Sequence, residues 1–160
     1  MKKVIGIMAA CMMMAGTAQA KSGDMGLSFG GGMNLTGDNH AGVSYWLDDN
    51  SQVNVGLAFN MVTGDAGSTV LGLRAGYKSY MNDGAARGFW AAGLSVENMD
   101  FDDIGGSMGL GLGGGIGVEY FFNDNLSVSA HTGLGVSFTE EFGTISIGLE
   151  QTGLSAHIYW

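Results

Sequence analysis

Two glycine-rich patterns contain residue types that could do chemistry. The segment Gly105-Gly106-Ser107-Met108-Gly109 matches the G-x-S-x-G nucleophile motif of hydrolases, and Gly109, Gly111 and Gly114 match the G-x-G-x-x-G pattern of dinucleotide-binding sites. Both motifs need a helix after the glycine turn, either to hold the serine in a sharp elbow or to present its N-terminus to a pyrophosphate. No helical periodicity follows either pattern, so we interpret both as chance matches.

Carboxylates form the other candidate site. Five of them fall in two predicted loops: Asp100, Asp102, Asp103, Glu140 and Glu141. Hard oxygen ligands of this kind could hold Ca²⁺ or Mg²⁺, with anionic lipid headgroups sharing the ion. The segment that begins at Asp100 lacks the bidentate glutamate of a calcium loop, because its twelfth residue is glycine. We therefore expect solvated acidic loops and no metal site, and the three aspartates are the candidate ligands if a divalent ion binds.

In the predicted secondary-structure elements that carry these residues, apolar residues occur at every second position. From Gln52 to Met61, apolar residues at odd positions alternate with polar or small residues, and from Met108 to Phe122 apolar residues alternate mostly with glycines. Successive side chains of a strand point to opposite faces, so one face of each strand is apolar and the other is nearly bare. Eight strands are predicted, near residues 25–35, 40–47, 52–62, 69–80, 87–98, 108–122, 126–138 and 144–160.

The predicted connections are of two kinds. Aromatic strand ends followed by Asp/Asn turns recur at residues 45–50, 80–84 and 120–125, which is the chemistry of tight hairpins. The other connections, at 36–39, 63–68, 99–107 and 139–143, are acidic or contain glycine. The molecule therefore has a turn end, which also carries both termini, and an opposite loop end. Eight aromatic residues are predicted at the rim of the turn end: Tyr45, Trp46, Tyr80, Tyr120, Phe121, Phe122, Tyr159 and Trp160.

The last strand changes register in the sequence. Ile145, Ile147 and Leu149 alternate on odd positions, whereas Leu154 and Ile158 use even ones. We predict that a β-bulge near Gly153 reconciles the two patterns.

The first twenty residues have the features of a cleavable export signal. Lys2 and Lys3 precede an apolar run, and Ala18-Gln19-Ala20 is a small-x-small cleavage pattern. We expect cleavage after Ala20, which leaves a domain over residues 21–160. A lipoprotein signal ending at Cys11 is the alternative, although apolar residues continue beyond it. Because Cys11 is the only cysteine, cleavage after Ala20 leaves no thiol for disulfides or metal binding.

Composition narrows the class of protein. After residue 20, four basic and fifteen acidic residues give a net charge of −11, which argues against nucleic acid as a partner because phosphate binding needs clustered Lys and Arg. No segment beyond residue 20 is long and apolar enough for a transmembrane helix. If the apolar faces meet lipid, strands must cross the membrane, and the sheet must close because hydrocarbon cannot satisfy unpaired edges. The predicted fold class is all-β, an eight-stranded antiparallel up-and-down transmembrane β-barrel.

At this point the chain resembles the small eight-stranded outer-membrane β-barrels of the OmpA/OmpX type. Residues 117–128, the similar stretch 45–53 and the terminal Ile158-Tyr159-Trp160 carry the resemblance, which covers the whole predicted mature chain. It implies a place in the Gram-negative outer membrane, contact with its lipid and lipopolysaccharide, and insertion by the barrel-assembly machinery, with Ile158, Tyr159 and Trp160 as the assembly signal. The family's usual last residue is Phe, where this chain has Trp160.

The predicted register points six ionisable side chains into the barrel: Arg74, Lys78, Arg87, Glu97, Glu119 and His131. We interpret them as a structural network in which opposite charges compensate one another, because stranding one partner of a buried pair is costly. A polar gate or ion path is the alternative. Inward glycines of the sixth and seventh strands leave room for a water-filled pocket, unless large side chains such as Trp46, Phe89 and Phe121 lean across them.

For function, the resemblance implies a non-enzymatic protein of envelope integrity or surface contact, without a cofactor. The sequence does not fix the oligomeric state, and we expect a monomer. One alternative is a small pore or carrier for tiny or apolar solutes. Another is a lipid A acyl hydrolase or transferase, since barrels of similar size use a His and a Ser near the outer rim. His40 and Ser107 would be that pair here, although ordinary lumen or rim positions explain His40, His131 and His157 as well.

Overall fold

The computed structural model describes residues 22–32, 39–62, 68–101, 105–139, 144–148 and 152–160. These residues form nine β-strands: β1 (Met25–Gly32), β2 (Asn39–Asp48), β3 (Ser51–Val62), β4 (Ser68–Tyr80), β5 (Ala86–Phe101), β6 (Gly105–Asn123), β7 (Leu126–Thr139), β8 (Thr144–Gly148) and β9 (Gly153–Tyr159). No helix long enough and apolar enough to cross a membrane occurs among them.

The sheet closes into a barrel of eight strands, because β8 and β9 are two segments of a single barrel strand. Sequential strands from β1 to β7 pair as antiparallel neighbours, both β8 and β9 pair with β7, and β9 also pairs with β1. The predicted fold class is confirmed. β5 and β6 extend further towards the loop end than predicted, so Asp100 lies in a strand and not in a loop.

The register shift in the last barrel strand is also confirmed. On β7, His131 and Gly135 are four residues apart (135 − 131), but their partners Gly153 and Gly148 are five apart (153 − 148). One extra residue therefore lies between the two segments, which moves the apolar positions from odd to even numbers.

The tilt of the strands follows from the pairing. A path of paired residues starts at Ser155 on β9 and crosses each of the remaining barrel strands in turn. It returns to the last barrel strand at Thr144. This point is eleven positions before the start (155 − 144), and one of the eleven is the extra residue, so the stagger is ten. With about 3.3 Å per residue and about 4.7 Å between strands, that stagger tilts eight strands by about 41° and gives a backbone radius of about 8 Å.

Asx chemistry shapes the hairpins at the turn end. In the turn between β2 and β3, the Asp48 carboxylate accepts hydrogen bonds from the Asn50 amide (2.8 Å) and the Ser51 hydroxyl (2.7 Å). Asn123 accepts from the Asn125 amide in the same way (2.9 Å). The longer connection between β4 and β5 contains Gly84, whose φ of 105° favours glycine. The predicted Asp/Asn turns are confirmed.

Burial is inverted relative to a water-soluble protein. Six hydrophobic side chains are buried among the described residues, against twelve polar or charged ones. Large apolar side chains instead cover the outside, with Leu57 59% exposed and Leu134 63% exposed. On β3 the predicted faces are confirmed, since Val55, Leu57 and Phe59 point outward while Gln52 is buried inside. A continuous apolar outer wall of this kind needs an apolar solvent.

Paired inward glycines mark places where the backbones of neighbouring strands leave no room for a Cβ. Gly115 and Gly133 are partners across β6 and β7, and a Cβ on Gly115 would lie 2.5 Å from the Thr132 carbonyl oxygen. Gly42 and Gly56 form a similar pair on β2 and β3, where a Cβ on Gly42 would lie 2.8 Å from a backbone oxygen. These glycines let a small barrel curve, because backbone, not a movable side chain, fills the space a Cβ would need.

Candidate functional site

An aromatic cluster fills the lumen at the turn end. It consists of five inward side chains with exposures between 0% and 5%: Trp46, Tyr80, Phe89, Phe121 and Tyr159. The Trp46 indole stacks on Tyr80 with ring centroids 5.0 Å apart, and Phe121 stacks on Tyr159 at 6.1 Å. We call these five residues the plug.

The plug divides the predicted aromatic rim between two faces of the barrel wall. Four of the eight residues assigned to it point into the lumen, namely Trp46, Tyr80, Phe121 and Tyr159. Tyr45, Tyr120 and Trp160 point outward and are exposed. The reason is strand alternation, since adjacent residues such as Tyr45 and Trp46 must face opposite sides. The Phe89 ring does lie across an inward glycine, because a Cβ on Gly117 would meet it.

A single carboxylate organises the plug. Glu119 on β6 is fully buried and accepts hydrogen bonds from the Lys78 ammonium (2.8 Å), the Tyr80 hydroxyl (2.6 Å) and the Tyr159 hydroxyl (2.8 Å). The Ser127 hydroxyl is a fourth donor. Lys78 bonds one carboxylate oxygen together with Tyr80, and Ser127 shares the other with Tyr159. Four donors around one buried charge satisfy it, which a lone ion pair would not.

Arg87 lies beneath the plug at the turn end and is also fully buried. It is the cross-strand partner of Glu119, but its guanidinium donates to the backbone carbonyl of Asp49 (3.0 Å). The guanidinium carbon lies 5.1 Å from the centre of the Phe121 ring and 5.9 Å from that of Trp46. Cation–π contacts between desolvated groups contribute about 2 kcal/mol each.

The other predicted lumen residues lie further towards the loop end. Arg74 and Glu97 form an ion pair at 3.3 Å, with 33% and 24% of their side chains exposed. His131 projects towards Gly153, where a Cβ would lie 3.1 Å from its ring. The structure therefore brings together Lys78 with Glu119, and Arg74 with Glu97, and it places Arg87 and His131 in other surroundings.

Above the plug, the lumen contains a cavity of about 830 Å³. Three charged side chains, Arg74, Lys78 and Glu97, line it. All three histidines of the sequence, six serines and one threonine line it as well. The cavity begins where Lys78 and His157 rest on the plug, with the Lys78 nitrogen 4.5 Å from the centre of the Phe89 ring and the His157 ring stacked on Tyr159 at 6.0 Å.

Serine and histidine meet twice in this cavity, but not in the pairing considered from the sequence. His40 lies on β2 next to Ser155, with the ring nitrogen and hydroxyl oxygen 3.5 Å apart, whereas Ser107 lies on β6, four strands away around the barrel. The closer pair is Ser129 with His157, at 3.0 Å.

The Ser129–His157 pair lacks the third member of a catalytic triad. The Nδ1 atom of His157 is buried and has no hydrogen-bond partner among the described residues. Serine nucleophiles need a base that another group orients, and they need access to substrate, but Ser129 and His157 are 4% and 5% exposed. The geometry of this pair is that of a packed polar contact.

The acidic cluster falls largely outside the described residues. Asp102, Asp103, Glu140 and Glu141 are not among them, and for Asp100 only the backbone position in β5 is described. Within the described part of the chain, no group of three or more His, Cys, Asp or Glu side chains has the geometry to hold a metal ion. The export signal of residues 1–20 also lies outside it.

The predicted assembly signal lies at the turn end. Ile158 and Trp160 point outward with exposures of 48% and 59%, while Tyr159 points into the plug. The Asn125 side chain donates to the Tyr159 carbonyl (2.8 Å), and the Trp160 amide donates to the Met25 carbonyl (2.9 Å). The last strand is thus fixed on both sides.

Sequence reasoning missed several residues of the site. Gln52 donates to the Tyr80 hydroxyl at 2.9 Å, and Ser127 and Tyr159 bond Glu119. Their signal was positional, because each occupies an inward position close to the turn end of its strand. His157 could also have been found, since it lies between the outward residues Ala156 and Ile158.

No protein-family model matches the chain, and no curated protein matches it by sequence. Among solved structures, the N-terminal β-barrel domain of OprF from Pseudomonas aeruginosa matches with a TM-score of 0.60 at 18% identity, over 87% of this chain and 98% of that one. Neisserial surface protein A matches with a TM-score of 0.56 at 15% identity, over 86% of this chain and 95% of that one. At these identities the likeness shows the fold alone. The chain has the fold of the small eight-stranded outer-membrane β-barrels.

Proposed function

We propose that this chain is a non-enzymatic β-barrel of the bacterial outer membrane whose role is structural, in envelope integrity or in surface contact. The observation that supports this most is the inverted burial, with an apolar outer wall around a polar interior. Lipid is the solvent that such a wall requires.

The apolar wall has the height of a membrane core. With a tilt of about 41°, each strand residue rises by about 2.5 Å along the barrel axis. The large outward residues of β6 run from Met108 to Tyr120 and include Leu112, Ile116 and Val118, all at least 37% exposed. Twelve residues at this rise span about 30 Å, which is the thickness of the hydrocarbon core of a bilayer.

The plug favours a structural role over a conducting one. Aromatic side chains and Arg87 fill the lumen at the turn end, and none of them is more than 5% exposed. An ion that crossed here would have to displace packed rings and the donors around Glu119. Sealing by packed side chains is what a bore of eight strands accommodates.

Several parts of the proposal concern the route to the membrane. The export signal of residues 1–20 would direct the chain out of the cytoplasm, and the assembly machinery would read Ile158, Tyr159 and Trp160 at the last strand. The turn end would then face the periplasm, as in outer-membrane barrels generally. Lipid and lipopolysaccharide would surround the wall of a monomer.

Fractionation of cells that express the full chain tests the location. We expect the processed protein in the outer-membrane fraction, extractable only with detergent, and a folded form that migrates differently from the boiled form on a denaturing gel. A processed chain that is monodisperse in buffer without detergent would contradict the proposal. Loss of the gene should raise the permeability of the envelope to large antibiotics if the role is structural.

The cavity supports one second candidate, a small pore or carrier for tiny solutes. Polar side chains, including serines, histidines and the Arg74–Glu97 pair, line it together with apolar groups such as Phe89 and Ala91, so both polar and apolar solutes of small size fit. Planar-bilayer recordings separate the two functions. Discrete channels would favour the pore, while a silent bilayer containing folded protein would favour the structural role.

Expression of the chain also tests the lipid A alternative. A hydrolase or transferase would change the mass of lipid A, and we expect no change, because His40 and Ser107 lie four strands apart.

A further inference from the structure

We propose that a groove in the loop-end half of the outer wall holds one acyl chain of a zwitterionic diacyl phospholipid, whose ester carbonyl accepts a hydrogen bond from Asn98. The inference rests on the proposed function, because the groove takes up lipid only if the outer wall faces a membrane.

The groove lies between β4 and β5 and has a volume of about 210 Å³. Its floor is backbone, because the paired residues Gly72 and Glu97 face the lumen, where Glu97 pairs with Arg74. Outward side chains form its walls and its two ends: Leu57, Leu71, Leu73, Val96, Asn98 and Met108. Five of these six are apolar, so the groove is complementary to a hydrocarbon chain.

The groove follows a line of sheet partners up the wall. Leu57 is the partner of Leu73, and two residues further up β4, Leu71 is the partner of Asn98. Asn98 in turn is the partner of Met108 on β6. With about 2.5 Å of height per residue and about 3.1 Å per step between tilted strands, Met108 lies about 14 Å higher than Leu57. One leaflet has about 15 Å of hydrocarbon, so the groove matches a single extended chain.

Asn98 is the polar member of the six, and it lies at the upper end of the groove. Its partner Met108 is also the last large outward residue of the apolar band on β6 towards the loop end. The Asn98 side chain is exposed, and its amide supplies two N–H donors. The ester carbonyls of a diacyl lipid are acceptors at the boundary between hydrocarbon and head groups. A chain that fills the groove therefore brings its carbonyl to the Asn98 amide.

Charge selects the head group. The cationic side chains that the structure describes all lie inside the barrel: Arg74, Lys78 and Arg87. A polyanionic head group such as that of lipid A therefore meets no cation on the described part of the outer wall. Acidic residues instead follow the groove in the sequence, at Asp100, Asp102 and Asp103. They disfavour an anionic head group and attract the ammonium of a zwitterionic one.

Native mass spectrometry of bound lipid tests the groove. The full mature barrel is folded in an uncharged alkyl glucoside and titrated separately with phosphatidylethanolamine, with its dialkyl ether analogue and with lipid A. We expect saturable retention of one phosphatidylethanolamine per barrel, and weaker retention of lipid A. The ether analogue lacks the carbonyl that Asn98 binds, so it should bind about three- to tenfold more weakly, which corresponds to one hydrogen bond.

Three variants on the outer wall make the test specific. Val96→Phe places a ring in the groove and should lower retention about tenfold or more, since this is the loss expected when about two methylenes are no longer buried. Val55→Phe makes the same change at an exposed residue of β3 outside the groove and should leave retention unchanged. Asn98→Leu should weaken the ester lipid to the level of the ether analogue. All three positions face outward, so we expect the variants to fold.

Several results would overturn the proposal. Equal retention in Val96→Phe and Val55→Phe would show that lipid binds elsewhere on the wall. Equal binding of the ester and ether lipids would contradict the role of Asn98, and tighter binding of lipid A would contradict the charge argument. A barrel that inserts into vesicles but retains no lipid contradicts the groove alone, whereas a processed chain that stays dissolved without detergent contradicts the proposed function.

Discussion

The substitution Glu119→Gln tests whether one carboxylate holds the turn end of the barrel together. Glutamine keeps the size of the side chain, but it removes the charge and turns one acceptor oxygen into an NH₂ donor. In the structure both oxygens face donors, with Lys78 and Tyr80 on one side and Ser127 and Tyr159 on the other. Either orientation of the amide therefore opposes two donors.

The expected cost follows from burial. Glu119 is fully buried and 8% of the Lys78 side chain is exposed, so the variant leaves a buried ammonium without its counter-charge. Breaking a buried ion pair in this way costs about 3–5 kcal/mol. The tyrosine and serine hydroxyls can reverse their roles and accept from the new amide, so the expected loss is about 3 kcal/mol.

Equilibrium urea unfolding from lipid vesicles measures this loss, with the combined fluorescence of Trp46, Trp90 and Trp160 as the probe. Glu97→Gln is the matched control, because it breaks the half-exposed pair with Arg74 in the same barrel. That variant should cost less than about 1 kcal/mol. Equal costs for the two variants would refute the special role of Glu119.

A double-mutant cycle separates the ion pair from the other donors. Lys78→Met should destabilise the wild-type barrel by about 2 kcal/mol more than it destabilises the Glu119→Gln variant. In the wild-type barrel this substitution leaves the Glu119 carboxylate buried without a counter-charge, and in the Glu119→Gln variant that carboxylate is absent. Additive effects would show that Lys78 and Glu119 do not depend on each other.

Three further predictions concern the wall, its bends and a turn. Ile116→Arg places a charge in the middle of the outward apolar band and should cost about 2–4 kcal/mol in vesicle unfolding, whereas the same change near the turn end should cost under about 1 kcal/mol. Gly115→Ala should cost about 1–3 kcal/mol, because its Cβ would lie 2.5 Å from a carbonyl oxygen of β7, while Gly88→Ala, with 3.4 Å to its nearest neighbours, should cost less. Hydrogen bonds from the Ser51 hydroxyl and, to a lesser extent, from the Asn50 amide lower the pKa of Asp48. Ionised Asp48 therefore stabilises the turn fully at pH values above its unfolded pKa, and this stabilisation is lost as the pH falls through the lowered folded pKa. Ser51→Ala should raise that pKa in a carboxyl-carbon NMR titration, and an unchanged value would contradict the assignment of its cause.

The sequence predicts the wall of this barrel well, because the wall obeys one local rule. Alternation places Val55, Leu57 and Phe59 outside and Gln52 inside whatever the neighbouring strands do, and the structure agrees. The same rule, applied residue by residue, separates Trp46 from Tyr45. The predicted rim grouped aromatic residues by their position along the strand and not by face, whereas the expectation that Trp46 is a large inward side chain agrees with its burial.

The contacts inside the lumen are less accessible to sequence, since they depend on the stagger of the whole barrel. Arg87 is the cross-strand neighbour of Glu119, and pairing by sequence pattern would join them. The carboxylate instead reaches Lys78, which lies two strands away on β4. Because the strands are tilted, side chains meet across the narrow bore when they lie at the same height along the barrel axis. That height follows from the accumulated register of all eight strands.

The division of the lumen into a plug and a cavity follows from the same constraint that closes the barrel. In the proposed membrane, lipid would exclude charge from the outer wall, and the cationic side chains that the structure describes, Arg74, Lys78 and Arg87, all lie inside. At the turn end, aromatic packing and four donors around Glu119 fix these charges, and a change there is expected to act on stability. Above the plug, inward glycines leave space and the side chains of the Arg74–Glu97 ion pair are 33% and 24% exposed, so a change there is expected to have little effect on stability. A large stability loss in Glu119→Gln and a small one in Glu97→Gln is the pattern that this division requires.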